Sequence, residues 1–217
     1  MKESVRNYYL NSNKNNHYKG LNKYFRNKIH KLMEKDFNSE KHFDKVIEFG
    51  ALYGEHLKFI NHSFKTYYET DILTVNKTSR NFNENSEIVS FKLDATNLDE
   101  YEDKFFDRII STCLLVHLEN PETVLAGWKR VVKKDGVLTL WVHLEPSILL
   151  NIAQKINSRG REDFYDVHFD EHLTYYKRID YFINKIFSKD HIKKSYFPFK
   201  FLSWNFNLVA VYQIKIL

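Results

Sequence analysis

With a single cysteine, three prolines and six glycines in 217 residues, the chain is poor in the residues that mark several protein classes. Cys113 alone permits no internal disulfide and no cysteine-based zinc cluster, and a reducing cytoplasm is the expected compartment. Scarce glycine and proline argue against low-complexity or collagen-like character. No apolar run reaches the ~18 to 20 residues that a membrane-spanning helix requires. The opening Met1-Lys2-Glu3-Ser4-Val5-Arg6 lacks the apolar stretch of a signal segment. Charge of one sign is missing too: 33 basic residues are spread among 28 acidic ones, so the net charge of +5 predicts no nucleic-acid footprint and only a weak preference for anionic small molecules. With no repeat and no linker, 1–217 is expected to fold as one domain.

Against these absences one stretch stands out: Val46-Ile47-Glu48-Phe49-Gly50-Ala51-Leu52-Tyr53-Gly54-Glu55-His56-Leu57-Lys58-Phe59-Ile60. An apolar run, a glycine-bracketed turn and a helical spacing predict strand, ligand-binding turn and helix. Gly50 lets backbone approach a ligand without a Cβ, and Gly54 lets a helix start close to the sheet with its first N–H groups facing the crevice. Glu48 would hold a carboxylate at the strand's end for ligand hydroxyls or an ammonium. An ordinary glycine-containing turn has the same pattern, so the rest of the chain must decide.

Met1 to Gly20 is a polar arm, read either as mobile or as a flap that orders on a ligand. Leu21, Phe25, Ile29, Leu32 and Met33 recur at helical spacing and predict a helix over 21–37, with His30 on its surface. Phe64 to Asp71 reads as a second strand. Asp71 lies 21 residues after Gly50, the spacing at which a doubly wound fold sets a carboxylate opposite a ribose, whose two hydroxyls can both donate to it. Capping of a helix near Leu73 is the alternative role. Ile88 to Ala95 predicts a third strand running into Asp94, which could accept an adenine amine beside the Ala95 N–H. Phe105 to Thr112 is a fourth strand with Leu114 to Leu118 on its edge. Pro121 starts a helix, and Asp135-Gly136 turns the chain into a fifth strand, Val137 to His143.

Successive strand and helix units predict a parallel sheet with helices on both faces. Beyond Pro146 the pattern changes to a helix reaching Arg161, an acidic and aromatic connection over 162–172, and a helix over 173–187. Lys193 to Phe199 and Leu208 to Lys215 then predict an antiparallel pair at one sheet edge.

In this order, Glu48-Phe49-Gly50-Ala51-Leu52-Tyr53-Gly54, Asp71, Asp94-Ala95, and Phe106-Asp107-Arg108-Ile109-Ile110-Ser111-Thr112 followed by Leu114-Leu115-Val116-His117-Leu118 resemble a class I S-adenosylmethionine-dependent methyltransferase. Asn120-Pro121-Glu122 and Trp128 to Leu138 complete the resemblance, which runs from Val46 to about Pro146. It implies an α/β, Rossmann-like, doubly wound sheet of seven strands, mostly parallel with an antiparallel C-terminal pair, plus an N-terminal helix and a helical insertion after strand five. It divides the chain into an N-terminal arm and helix (1–40), a cofactor-binding core (44–145), an acceptor-site insertion (146–190) and the C-terminal strand pair (191–217). S-adenosyl-L-methionine is the implied cofactor. Glu48, Gly50, Ala51 and Gly54 would surround its methionine end, Asp71 its ribose, and Asp94 with Ala95 its adenine, while Thr112 and Cys113 line the far wall. Leu52 stands where many members have a third glycine, and Tyr53 is large for that turn. Glu171-His172, Tyr196-Phe197-Pro198-Phe199 and Ser203 to Leu208 resemble, more faintly, bacterial methyltransferases of surface-polysaccharide or other secondary biosynthesis.

Methyl transfer to a hydroxyl requires a base, and histidine suits neutral pH. His172, then His168, then His117 are the candidates, with His143 also at a strand end, and each taken singly reads more readily as structural than as catalytic. The His168–His172 spacing permits a metal pair, but no further ligand spacing supports one and no metal is expected. Tyr165 and Tyr176 could shape an acceptor site, and Arg159 and Arg178 could hold a phosphate or carboxylate. The expected activity is O-methylation of a small molecule such as a sugar or a nucleotide- or phosphate-linked intermediate. A non-catalytic methyltransferase-like binding partner is one alternative. A nicotinamide-dependent oxidoreductase is another, disfavoured because Leu52 breaks Gly-x-Gly-x-x-Gly.

Overall fold

A computed structural model of the chain describes residues 20–73, 86–157 and 172–217. Seven strands form one sheet: β1 (His42–Phe49), β2 (Ser63–Asp71), β3 (Glu87–Lys92), β4 (Phe106–Thr112), β5 (Val132–His143), β6 (His191–Phe197) and β7 (Val209–Lys215). Their order is β3-β2-β1-β4-β5-β7-β6. Strands β1 to β5 are mutually parallel, and β7 lies antiparallel between β5 and β6. This is the expected doubly wound, mostly parallel architecture with an antiparallel C-terminal pair. The order reverses between β1 and β4, and the C-terminal ends of the strands there open the crevice in which such sheets hold ligands.

Both faces are covered, which is why the C-terminal halves of the central strands bury consecutive residues rather than alternate ones. Val46 and Ile47 point to opposite sides and are both fully buried. On one side Ile47, Phe49, Ile109 and Leu140 pack with α2 (Pro121–Val131) and α4 (Tyr176–Ile186). Trp128 of α2 stacks on Phe49 at 5.1 Å and donates its indole N–H to the Ala95 carbonyl. On the other side Val46, Tyr67, Ile110 and Trp141 pack against Ile29 and Met33 of α1 (Gly20–Glu34). Helix α3 (Ile148–Asn157) follows β5 and rests against the 3-10 turn Trp204–Phe206. No helix among the described residues is long and apolar enough to cross a membrane.

Several expectations need correction. His30 is buried, not on the surface. Its Nδ1 lies 2.9 Å from Nδ1 of His56, whose Nε2 is 2.9 Å from Glu34 Oε1, and Arg108 grips the same carboxylate with both terminal nitrogens. The helix expected after Gly54 is only a 3-10 turn, His56–Phe59, because His56 and Leu57 are drawn inward to this network and the core. The Asp135-Gly136 turn is a bulge inside a longer β5, where pairing with β4 jumps from Phe106↔Val132 to Arg108↔Val137. A Cβ on Gly136 would meet the Lys133 and Asp107 carbonyl oxygens at 2.8 and 2.9 Å, so only glycine fits. The helix expected over 173–187 starts at Tyr176, since the residues before it are tied elsewhere.

Candidate active site

At the crevice, β1 ends in Gly50 with φ +75°, a left-handed conformation that glycine tolerates at little cost. A Cβ there would touch Leu114 at an ordinary 3.4 Å, so backbone conformation rather than space asks for glycine. The turn is then stitched by its own amides. Ala51 N–H donates to the Thr70 carbonyl and Gly54 N–H to that of Ala51, at 2.9 and 2.8 Å. Leu52, at φ +45°, donates its N–H to Asp71 Oδ2 at 3.1 Å, and Leu73 donates to Oδ1 at 2.8 Å. Asp71 thus latches the end of β2 to the turn after β1. Burial raises its pKa, and the two amide donors oppose that rise.

Glu48 is turned inward, where the Tyr67 hydroxyl donates to its Oε2 at 2.8 Å. Burial pushes its pKa up to about 7, against the pull of His56 and of the Tyr67 hydrogen bond. Asp94 lies in the loop past β3, and its Oδ1 accepts both the N–H and the hydroxyl of Thr96, at 2.9 and 2.7 Å. Ala95 is buried beside it. Thr112 closes β4, and Cys113 follows at φ +64°, its N–H donating to the Trp141 carbonyl. The cofactor-side residues named from sequence therefore converge on the ends of β1, β2, β3 and β4.

A second group gathers at the ends of β4 and β5. The 3-10 turn Leu115–His117 follows β4, and its Val116 carbonyl accepts the N–H groups of Leu173 and Thr174, while the Thr174 hydroxyl donates to the Leu118 carbonyl. These bonds bring His172 against His117, ring centroids 4.9 Å apart, and within 5.9 Å of His143. His172 donates from Nδ1 to Glu145 Oε2 at 2.6 Å, with both side chains only 7% exposed. Gln154 of α3 donates to the other Glu145 oxygen at 2.7 Å. Nδ1–H donation to a carboxylate fixes the tautomer and leaves the lone pair on Nε2. Glu145 was not singled out by sequence; its signal is a carboxylate two residues past the histidine that ends β5.

Tyr176 is buried in the core, its hydroxyl 2.9 Å from that of Tyr196. Arg178 is exposed on α4, its guanidinium 5.8 Å from the Phe182 ring. His168, Tyr165, Arg159 and the 1–19 arm lie outside the described residues.

Residues 47–140 match the family described as "Methyltransferase domain". Comparison with curated proteins gives no match. Among solved structures, the chain is similar to the N-methyltransferase NodS from Bradyrhizobium japonicum WM9 in complex with S-adenosyl-L-homocysteine, at 12% identity and TM-score 0.63, covering 99% of this chain and 97% of that one. A SAM-dependent methyltransferase from Archaeoglobus fulgidus matches at 15% identity and TM-score 0.57, covering 88% and 94%. The CurJ carbon methyltransferase matches at 11% identity and TM-score 0.56; 86% of this chain is covered, but it spans only 53%, about half, of that structure. Residues 47–140 are thus similar to a methyltransferase domain, and the chain has the fold of S-adenosylmethionine-dependent methyltransferases.

Proposed function

We propose that the protein methylates a hydroxyl of a small acceptor, with His172 as base and Glu145 as the group that orients it. The observation carrying this reading is the 2.6 Å bond from His172 Nδ1 to Glu145 Oε2 at the crevice edge. A hydroxyl must lose its proton as it attacks, and a neutral imidazole backed by a carboxylate is suited to take it.

The residues present fit the cofactor. Each Asp71 oxygen accepts one backbone amide, and a carboxylate has about four acceptor positions, so capacity remains for ribose hydroxyls. Asp94 engages Thr96 through Oδ1 alone, which leaves Oδ2 for an adenine amine beside Ala95. Gly50, Ala51 and Gly54 would supply a backbone wall beside the buried Glu48, with Thr112 at the end of β4 and Cys113 after it as the far wall. When bound, S-adenosylmethionine supplies a methyl on a sulfonium, open to in-line displacement. The chain's share is to hold the acceptor in line, exclude water and take up the proton.

In this reading residues 44–145 hold the cofactor and 146–190 shape the acceptor pocket, with Tyr165, Arg159, Arg178, His168 and His117 as its further candidates. A sugar or a nucleotide- or phosphate-linked intermediate, in surface-polysaccharide or other secondary biosynthesis in the cytoplasm, is the acceptor class these residues suit. Calorimetry with S-adenosylmethionine and S-adenosylhomocysteine tests the first half: binding is expected, and its absence would leave a non-catalytic relative. Screening methyl transfer to hydroxylated acceptors with wild type and His172→Ala tests the second. The variant should bind cofactor normally and turn over poorly, and unchanged turnover removes His172 as base.

A further inference from the structure

Away from the crevice chemistry, two segments bring large apolar side chains to the surface together. Helix α3 presents Ile148, Ile152 and Ile156, four residues apart and each at least half exposed, so its outward stripe is apolar where a surface helix is normally polar. The loop between β6 and β7 presents Phe199, Phe201, Leu202 and Phe206, with Phe201 100% exposed. The segments are neighbours: α3 rests on the Trp204–Phe206 turn, and the Ser147 hydroxyl just before α3 donates to the Asn207 carbonyl at 2.7 Å. A patch of this kind marks an interaction site.

Its charge says what it meets. Segments 146–157 and 198–207 contain no Asp or Glu, whereas Lys155 and Lys200 are exposed within them. Lys177 adds a third cation, its Nζ 4.6 Å from the Trp204 ring. Apolar and aromatic side chains projecting from two segments whose only charged residues are lysines match the interface of an anionic bilayer, where the rings enter the headgroup boundary and Lys177 and Lys200 meet lipid phosphates. We propose that this face docks the protein reversibly on an anionic membrane surface. Gln154, on α3 itself, is bonded to Glu145, so docking would set the edge of the crevice close to the membrane.

Co-sedimentation of the full chain with vesicles tests this independently of any methyl transfer. Vesicles of phosphatidylglycerol and phosphatidylcholine should carry down the protein, pure phosphatidylcholine should do so much less, and high salt should release it. Phe201→Asp should cut the bound fraction about tenfold while leaving thermal unfolding unchanged, because the side chain is fully exposed. Lys200→Glu should lose the preference for anionic vesicles. Absence of binding to anionic vesicles, or binding indifferent to Phe201→Asp, overturns the proposal. So does a dimer in solution that Phe201→Asp dissociates, which would make the face a contact between copies.

Discussion

Glu145 Oε2 lies 2.6 Å from His172 Nδ1, across 27 residues of chain, and each reaches the other from a segment pinned by backbone hydrogen bonds. The Glu145 carbonyl accepts the Tyr176 N–H, and Thr174 is fastened to Val116. If His172 is the base, Glu145 acts through it. Glu145→Gln keeps an acceptor oxygen but loses the charge that stabilises an imidazolium. Turnover should fall about ten- to a hundredfold, less than the ~10² to 10⁴-fold expected for His172→Ala. Cofactor affinity should be unchanged in calorimetry, and the loss should fall on kcat rather than on KM. A loss accompanied by weaker cofactor binding would assign Glu145 to structure alone.

Asp71 makes a second prediction, because it serves the fold and the site at once. Its carboxylate holds Leu52 N–H at 3.1 Å and Leu73 N–H at 2.8 Å. Asp71→Ala removes both acceptors and any partner for a ribose, so affinity for S-adenosylhomocysteine should drop tenfold or more, with about 1–3 kcal/mol lost from stability. Asp71→Asn keeps one side-chain oxygen as acceptor and should recover most of the stability but less of the affinity. Equal recovery of both by Asn would show that the carboxylate matters only as a latch.

Leu52 carries a third. It stands at φ +45°, where a side chain costs ~1 kcal/mol that glycine does not pay, and where the resembling family often has glycine. Leu52→Gly relieves that strain but frees the unfolded chain, so the two terms offset. Stability should change by less than about 1 kcal/mol, and cofactor affinity should stay within a few-fold since the N–H to Asp71 remains. A large gain in affinity would mean that the leucine side chain blocks the turn.

The sheet was legible because its signal is local: apolar runs of strand length, each followed by a turn residue, and the Gly50 to Asp71 spacing. The His172 partner was not legible. Glu145 meets His172 only because the Val116 carbonyl happens to hold Leu173 and Thr174, a contact between loops that no periodicity encodes. The misplacement of His30 has the same origin. A histidine one position past Ile29 sits beside the apolar stripe of α1, and only the arrival of His56 and Phe59 in the fold makes that position interior. The false helix after Gly54 arose because His56, Leu57 and Ile60 share helical spacing whether they form an α-helix or one 3-10 turn.

Glu48 and Tyr67 give a prediction for stability against pH. Burial holds the Glu48 pKa up at about 7 rather than the ordinary 4.5. The folded state therefore keeps a proton that the unfolded state releases between those values, so this group costs stability as pH rises through the window. Glu48→Gln retains an acceptor for the Tyr67 hydroxyl and cannot ionise. The variant should match wild type near pH 4.5 and exceed it by about 1–3 kcal/mol above pH 7. Parallel curves of midpoint denaturant against pH would show that Glu48 does not titrate in this way.

The buried cluster around His30, His56 and Glu34 works in the opposite sense. Burial, with His56 and Arg26 nearby, holds the His30 pKa well below its ordinary 6.5. Burial alone would raise Glu34, but the Arg108 charge and the His56 hydrogen bond hold it well below the carboxylate range. As pH falls below 6.5 the unfolded chain takes up a proton at residue 30 that the folded chain refuses, so stability declines. Below the carboxylate range the Glu34 contribution is lost as well. His30 also stacks on Phe59, centroids 5.0 Å apart and rings nearly parallel. His30→Phe keeps that stack, loses one hydrogen bond to His56 and cannot be protonated. It should cost about 1 kcal/mol at pH 8 and reduce the acid slope by up to ~1.4 kcal/mol per pH unit below pH 6.5. Glu34→Gln, which leaves Arg108 buried without its counter-charge, should cost about 3–5 kcal/mol at neutral pH. Denaturant titrations of the three proteins from pH 8 to pH 5 distinguish the effects, and an acid slope in His30→Phe equal to that of wild type would place the acid sensitivity elsewhere.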